Sequence, residues 1–285
     1  MRLLTFNSET GPRLGLLRAD DTVTPIPAID MLTLIEAGES RLKRARTGTG
    51  FMLALSALKL LAPIPELRRN ILCIGMNYRE HAAESLRAKG LPVKMPEVPV
   101  FFTKATTTLN GPYADIPFDA AVSTQIDWEV ELGVVIGRKG KDIPRAAALD
   151  YVFGYTILND VSARDLQNAH GGQFFKGKSL DGACPIGPWI VTRDEIPDPH
   201  ALQLRCLVNG VLKQESHTGD MIFDIPTIIE WLSRGMTLLP GDIIATGTPS
   251  GVGFARTPPE FLKPGDVVEC QVEKIGSIRN RVVAV

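Results

Sequence analysis

The sequence predicts an α+β chain that is mostly β, and three observations carry that expectation. Glycine and proline number 26 and 21 in 285 residues, which implies many turns and so many strands. Two Pro-Gly-Asp turns, Pro240–Asp242 and Pro264–Asp266, each lead directly into an apolar run, a pattern of sheet rather than of strand–helix alternation. Ser123–Gly137, STQIDWEVELGVVIG, has strand alternation: Asp127, Glu129 and Glu131 share one face, and Trp128, Val130 and Leu132 the other.

Residues 1–66 read as a small separate unit. RLLTF, RLGLLRA and DDTVTPI give short strands and a turn, and DMLTLIEAG gives a helix capped by Asp30 and stopped at Gly38. FMLALSALKLL reads as a second helical run, broken by Pro63 and Pro65 in a linker. Residues 67–285 form the larger unit. Its first stretch, ILCIGMNYREHAAESLRAKG, predicts a strand, a turn at Gly75 and a helix over Tyr78–Lys89 closed by Gly90. Residues 91–99 are proline-rich, a plain loop or a lid over the neighbouring helix. GYTILN is a buried strand ending at Asn159-Asp160, with Ser162 placed to cap the helix that follows. Further on, PTIIEWLSRG is helical and the rest alternates strands with Gly/Pro turns.

The acidic strand is the unusual element. Glu129 and Glu131 stand roughly 6–7 Å apart along one face, and that face continues through Gly133 to Val135 toward apolar surroundings. Desolvated like charges need a cation between them unless the face is solvated. Asp160, at the end of the next buried strand, either serves a local turn or supplies a third oxygen ligand. Together the three acids suit a hard cation, Mg²⁺, Mn²⁺ or Ca²⁺, with positions left for substrate or water. The four cysteines and four histidines have no zinc-site spacing. His81 and Glu84, three apart on the helix, form either a surface pair or a carboxylate-oriented general base.

Composition sets bounds. A net charge of −1 gives no nucleic-acid footprint, and no apolar run reaches membrane-spanning length. Met1–Arg13 has too short an apolar core for a secretory signal, and four scattered cysteines suit a reducing compartment, so the expectation is cytoplasmic. Gly172–Ser179, GQFFKGKS, matches a phosphate-loop pattern, but Gly182, Pro185, Gly187 and Pro188 leave no room for the required helix after it. Lys178 within it is either a surface lysine or a cation near the acids.

GMNYREHAAE, FFTKATT, DWEVELGVVIG, GYTILNDVSARDLQ, KGKSLDGACPIGPWIV and PGDIIATGTPSGVG, in that order, resemble the fumarylacetoacetate hydrolase family from about Ile71 to the C-terminus. The resemblance is to bacterial members with a short N-terminal domain. It implies a mixed-sheet β-roll or β-sandwich, a homodimer, and Mg²⁺ held by Glu129, Glu131 and Asp160. It further implies His81 with Glu84 as base, Lys178 as active-site lysine, and Gln167 and Thr248 as substrate contacts. The arginine and tyrosine set of the eukaryotic fumarylacetoacetate enzyme has no obvious counterpart here, so that substrate does not carry over. The expected reaction is hydrolysis of a C–C bond in an acylpyruvate-type 2,4-dioxo acid, releasing pyruvate and a carboxylic acid. Oxaloacetate decarboxylation, or isomerisation or hydration of a 2-oxo acid, is the alternative, and a non-catalytic metal-bound binding protein is a rival from another class.

Overall fold

The structure, a computed structural model, describes residues 1–27, 30–47 and 51–285. Its strands in chain order begin with β1 (Arg2–Ser8), β2 (Gly11–Leu17), β3 (Thr22–Ile26), β4 (Leu53–Ala54), β5 (Ile71–Gly75), β6 (Val100–Lys104), β7 (Leu109–Asn110), β8 (Ile116–Phe118) and β9 (Ile126–Asp127). They continue with β10 (Val130–Ile136), β11 (Val152–Asn159), β12 (Ser162–Ala163), β13 (Cys184–Thr192), β14 (Gln203–Val208), β15 (Val211–His217), β16 (Ile243–Ala245), β17 (Val267–Val272) and β18 (Gly276–Ala284). The α-helices are α1 (Met31–Thr47), α2 (Arg79–Ala88), α3 (Arg164–Ala169), α4 (Phe175–Lys178) and α5 (Ile225–Ser233). None of the described helices is long and apolar enough to cross a membrane.

Two mixed sheets dominate. The larger runs β4-β3-β2-β1-β13-β11-β10-β16-β5-β6 with β7 beside β13, and the smaller runs β15-β14-β17-β18-β8. Val130, Leu132 and Val134 on one face of β10 join Tyr155 and Ile157 of β11 against Leu204, Cys206, Cys270 and Ile278 of the smaller sheet. The opposite face of the larger sheet carries Val135, Leu158, Cys73, Cys184 and Ala245, packed with Leu3 and Leu14 and with Met31 and Leu34 of α1. Thus the face that holds Glu131 does end in apolar surroundings at Val135.

β1 hydrogen-bonds to β13, so strands from residues 1–66 extend the same sheet as the later ones. In α1, Asp30 Oδ1 accepts the Thr33 N–H at 2.7 Å, and Gly38, at φ 66°, breaks the helix where the sequence predicts its end, but helical backbone resumes beyond it to Thr47. Residues 51–61 do not form the expected helix. Leu53–Ala54 pairs with β3, Leu55–Ala57 makes a 3-10 turn, and Leu60 bridges to Phe6. Their leucines cover Leu4, Phe6 and Val23, so cross-strand pairing over an apolar patch outweighs local helix propensity. Leu91–Pro99 is an irregular loop, mostly exposed from Leu91 to Val98 and buried at Pro99.

The site is set by strand direction. β10 runs antiparallel to both β11 and β16, while β16 and β5 are parallel. The carboxyl ends of β5, β11 and β16 therefore meet the amino end of β10 at one edge. There β5 leads to α2, β11 to Asp160, β16 to Thr246–Thr248, and Glu129 immediately precedes β10.

Candidate active site

The acidic strand is not continuous: it breaks at Trp128-Glu129, where side chains replace ladder partners. Trp128 N–H donates to Asp127 Oδ1 (2.8 Å) and Glu129 N–H to Asn159 Oδ1 (3.1 Å). The break leaves the three acids with different tasks. Asp127 accepts the Gly253 and Phe254 N–H groups (2.7 and 3.1 Å) and Arg164 Nε (2.8 Å). Glu129, Glu131 and Asp160 converge instead, each offering an oxygen within 4.8 Å of the others, and all three are buried.

Buried cations surround this triad. Lys178 Nζ donates to Glu129 Oε2 and to Asp160 Oδ2, both at 2.7 Å. Lys104 Nζ donates to Asp160 Oδ1 at 2.7 Å and to Val161 O at 3.1 Å. Arg164 Nη2 lies 2.7 Å from Glu129 Oε1 and so links Glu129 to Asp127. Burial favours the neutral form of Glu129, but Lys178, Arg164 and His81 outweigh it and hold the carboxyl down at about 2. The opposite holds at Glu131. Burial, then Asp160 and Glu129, push its carboxyl well above the ordinary range. Its charge-neutral partner is the Gly247 N–H at 2.7 Å, and no cationic side chain among the described residues bonds it.

That asymmetry is the test of fit for a metal. Three oxygen donors converge where two are neutralised by protein cations and the third lacks a counter-charge, which suits a hard divalent ion such as Mg²⁺ or Mn²⁺. The donors contain no sulfur or imidazole. Burial opposes the charge on Lys178, yet Asp160 and Glu129 raise its pKa, so it stays an ammonium.

His81 sits at the same cavity, on α2, which ends near Ala88 with Gly90 at φ 65° as the sequence suggests. Its Nδ1 is 3.0 Å from Glu84 Oε1, and Gly251 N–H reaches both Glu84 oxygens at 3.0 Å. At 7% exposed, His81 is not a surface residue. Gln167 lines the cavity and accepts Arg164 Nη1 through Oε1 (2.9 Å). Thr248 lines it too, but its hydroxyl is committed: it donates to Val130 O (2.9 Å) and accepts Gln214 Nε2 (2.8 Å).

Ser162 does not cap α3. Its hydroxyl donates to Asp160 O at 2.9 Å, and residues 162–163 pair with β9, which delays the helix to Arg164. The phosphate-loop pattern likewise has another cause. Its lysine turns to the acids, β13 rather than a helix follows, and a Cβ on Gly177 would come within 2.4 Å of Gln167 N and 2.6 Å of Ala163 O. Glycine there lets α4 approach α3 closely enough to seat Lys178. Sequence reading missed Lys104 and Arg164. The available signals were a lone cation ending the apolar strand VFFTK and an arginine four residues after Asp160.

The profile described as fumarylacetoacetate (FAA) hydrolase C-terminal matches residues 70–283. The chain is 50% identical over 232 residues to oxaloacetate tautomerase YisK of Bacillus subtilis, covering 81% of this chain and 75% of that one. It is 44% identical to the mitochondrial oxaloacetate tautomerase fahd2 of Xenopus laevis, covering 99% and 90%. A solved fumarylacetoacetate hydrolase from Exiguobacterium antarcticum superposes with a TM-score of 0.86 at 40% identity, covering the whole of both chains.

Proposed function

The chain belongs to the fumarylacetoacetate hydrolase family, and from that premise we propose that it interconverts the keto and enol forms of oxaloacetate or a close 2-oxo acid. One observation carries the reading: His81, its Nδ1 held by Glu84, lines the same cavity as Glu129, Glu131 and Lys178. The names of the curated relatives supply the substrate class.

The residues divide the work as follows. Glu84 accepts the Nδ1 proton of a neutral imidazole, leaving Nε2 as the base. Nε2 takes a proton from C3, and the C–H electron pair becomes the C2–C3 double bond as charge moves to the 2-oxo oxygen. Lys178, held charged by Asp160 and Glu129, stabilises that oxygen by charge and hydrogen bonding rather than by giving up its proton. The imidazolium then returns the proton to oxygen, so that one proton leaves carbon and one reaches oxygen. When bound at Glu129, Glu131 and Asp160, a divalent cation supplies Lewis-acid polarisation of the 2-oxo group.

Hydrolysis of an acylpyruvate is the second reading, because the same His81–Glu84 pair is arranged to deprotonate water. The test is a panel of enol-oxaloacetate, oxaloacetate and acylpyruvates, with Mg²⁺ or Mn²⁺. The tautomerase reading expects accelerated loss of enol absorbance without matching pyruvate release. Faster pyruvate release from an acylpyruvate would put hydrolysis first, and no turnover of any substrate would remove the enzymatic reading.

A further inference from the structure

Helix α2 presents more than His81 to the cavity. His81, Ser85 and Lys89 recur every four residues, so they form one stripe along the helix, and all three line the cavity. Four helical residues rise about 6 Å, so the stripe leads about 12 Å outward from the base. His81 and Ser85 are each 7% exposed, whereas Lys89 is exposed at the mouth.

The cations deeper in the cavity are already engaged, Lys178 by Glu129 and Asp160, and Arg164 by Asp127 and Glu129. Among the described residues, Lys89 has no ion-pair partner and the Ser85 hydroxyl no hydrogen-bond partner. Partial burial and then the Arg164 charge lower the Lys89 pKa, consistent with an ammonium that faces the cavity without a counter-ion.

We propose that Lys89, assisted by Ser85, receives the distal carboxylate of a 2-oxo dicarboxylate and so determines specificity against 2-oxo monocarboxylates. The assignment rests on the tautomerase reading of the same cavity, with the 2-oxo head beside His81 and Lys178. Lys89 also stands at the C-terminal end of α2, where any cation complements the helix dipole. That role is indifferent to the ligand and so separable by experiment.

The experiment is calorimetric titration of the Mg²⁺-loaded full chain with oxaloacetate and with pyruvate, which lacks the distal carboxylate. Wild type is compared with Lys89→Met and Lys89→Arg, and steady-state KM and kcat are measured alongside. Lys89→Met is expected to weaken oxaloacetate binding roughly 5- to 10-fold, between exposed and desolvated ion pairs. Pyruvate affinity should change less than about twofold, KM for oxaloacetate should rise far more than kcat falls, and Lys89→Arg should recover most of the loss. Equal losses for both ligands, or no loss for oxaloacetate, would overturn the assignment. If wild type binds neither ligand, the tautomerase reading itself fails and the role of Lys89 falls with it.

Discussion

Glu129 and Glu131 look equivalent as two acids on one strand, yet their surroundings make opposite demands. Glu129 is braced by Lys178 and Arg164, whereas Glu131 meets one backbone N–H and two like charges. Glu129→Gln should therefore lower the unfolding free energy of the metal-free protein by about 3 kcal/mol, because it leaves buried cations short of a partner. Glu131→Gln should change it by less than about 1 kcal/mol, since repulsion is relieved, while weakening Mg²⁺ binding as strongly as Glu129→Gln does. Denaturant unfolding with and without Mg²⁺ checks both, and equal stability losses would contradict the asymmetry. At His81 the demand is kinetic: His81→Gln should lower kcat by roughly 10²–10⁴-fold with Mg²⁺ affinity near wild type. Glu129 and Glu131 on one face were legible because strand alternation is a local rule, whereas spacing left Asp160 and the His81–Glu84 pair open and only the family resemblance assigned them to the site. Lys104 and Arg164 were not legible, because each becomes part of the site only through pairing with Asp160, Asp127 and Glu129 across the fold.

The turn after β16 supports the base. Gly251 N–H holds both Glu84 oxygens, while its carbonyl accepts Trp128 Nε1 at 3.2 Å. Gly251 has φ +101°, and a Cβ there would lie 2.1 Å from Lys213 O, so Gly251→Ala must displace the loop. The expected result is a roughly 10- to 100-fold loss in kcat through a misplaced Glu84, with Mg²⁺ affinity unchanged by titration. A loss of metal affinity in step with kcat would instead mean that the loop supports the acids. Element types along this part of the chain were readable, since β5, α2, β11, α5 and both Pro-Gly-Asp turns follow their punctuation. Failures came where a distant partner decided the outcome: Leu53–Ala54 is claimed by β3, and Ser162–Ala163 by β9.

At the scale of the molecule, a mostly β composition was evident, but strand order was not. Nothing local in RLLTF indicates that it lies beside a strand more than 180 residues later, pairing Arg2 with Val191 and Leu3 with Ile190. That pairing predicts the outcome of deleting residues 1–66. The remaining chain should expose the β13 edge and the apolar face once covered by Leu3, Leu14, Met31 and Leu34, and so aggregate or bind a hydrophobic dye. A monomeric, dye-silent 67–285 fragment would show that the larger unit stands alone. The cysteines offer a finer view. All four thiols are free and buried, Cys73 and Cys184 on the α1 side of the larger sheet and Cys206 and Cys270 between the sheets. A maleimide can reach them only when the surrounding layer opens, so labelling rates resolved by peptide mass act as two clocks in one molecule. If the layers breathe independently, the first pair will be alkylated at a different rate from the second. A single shared rate would mean that the whole chain opens as one cooperative unit.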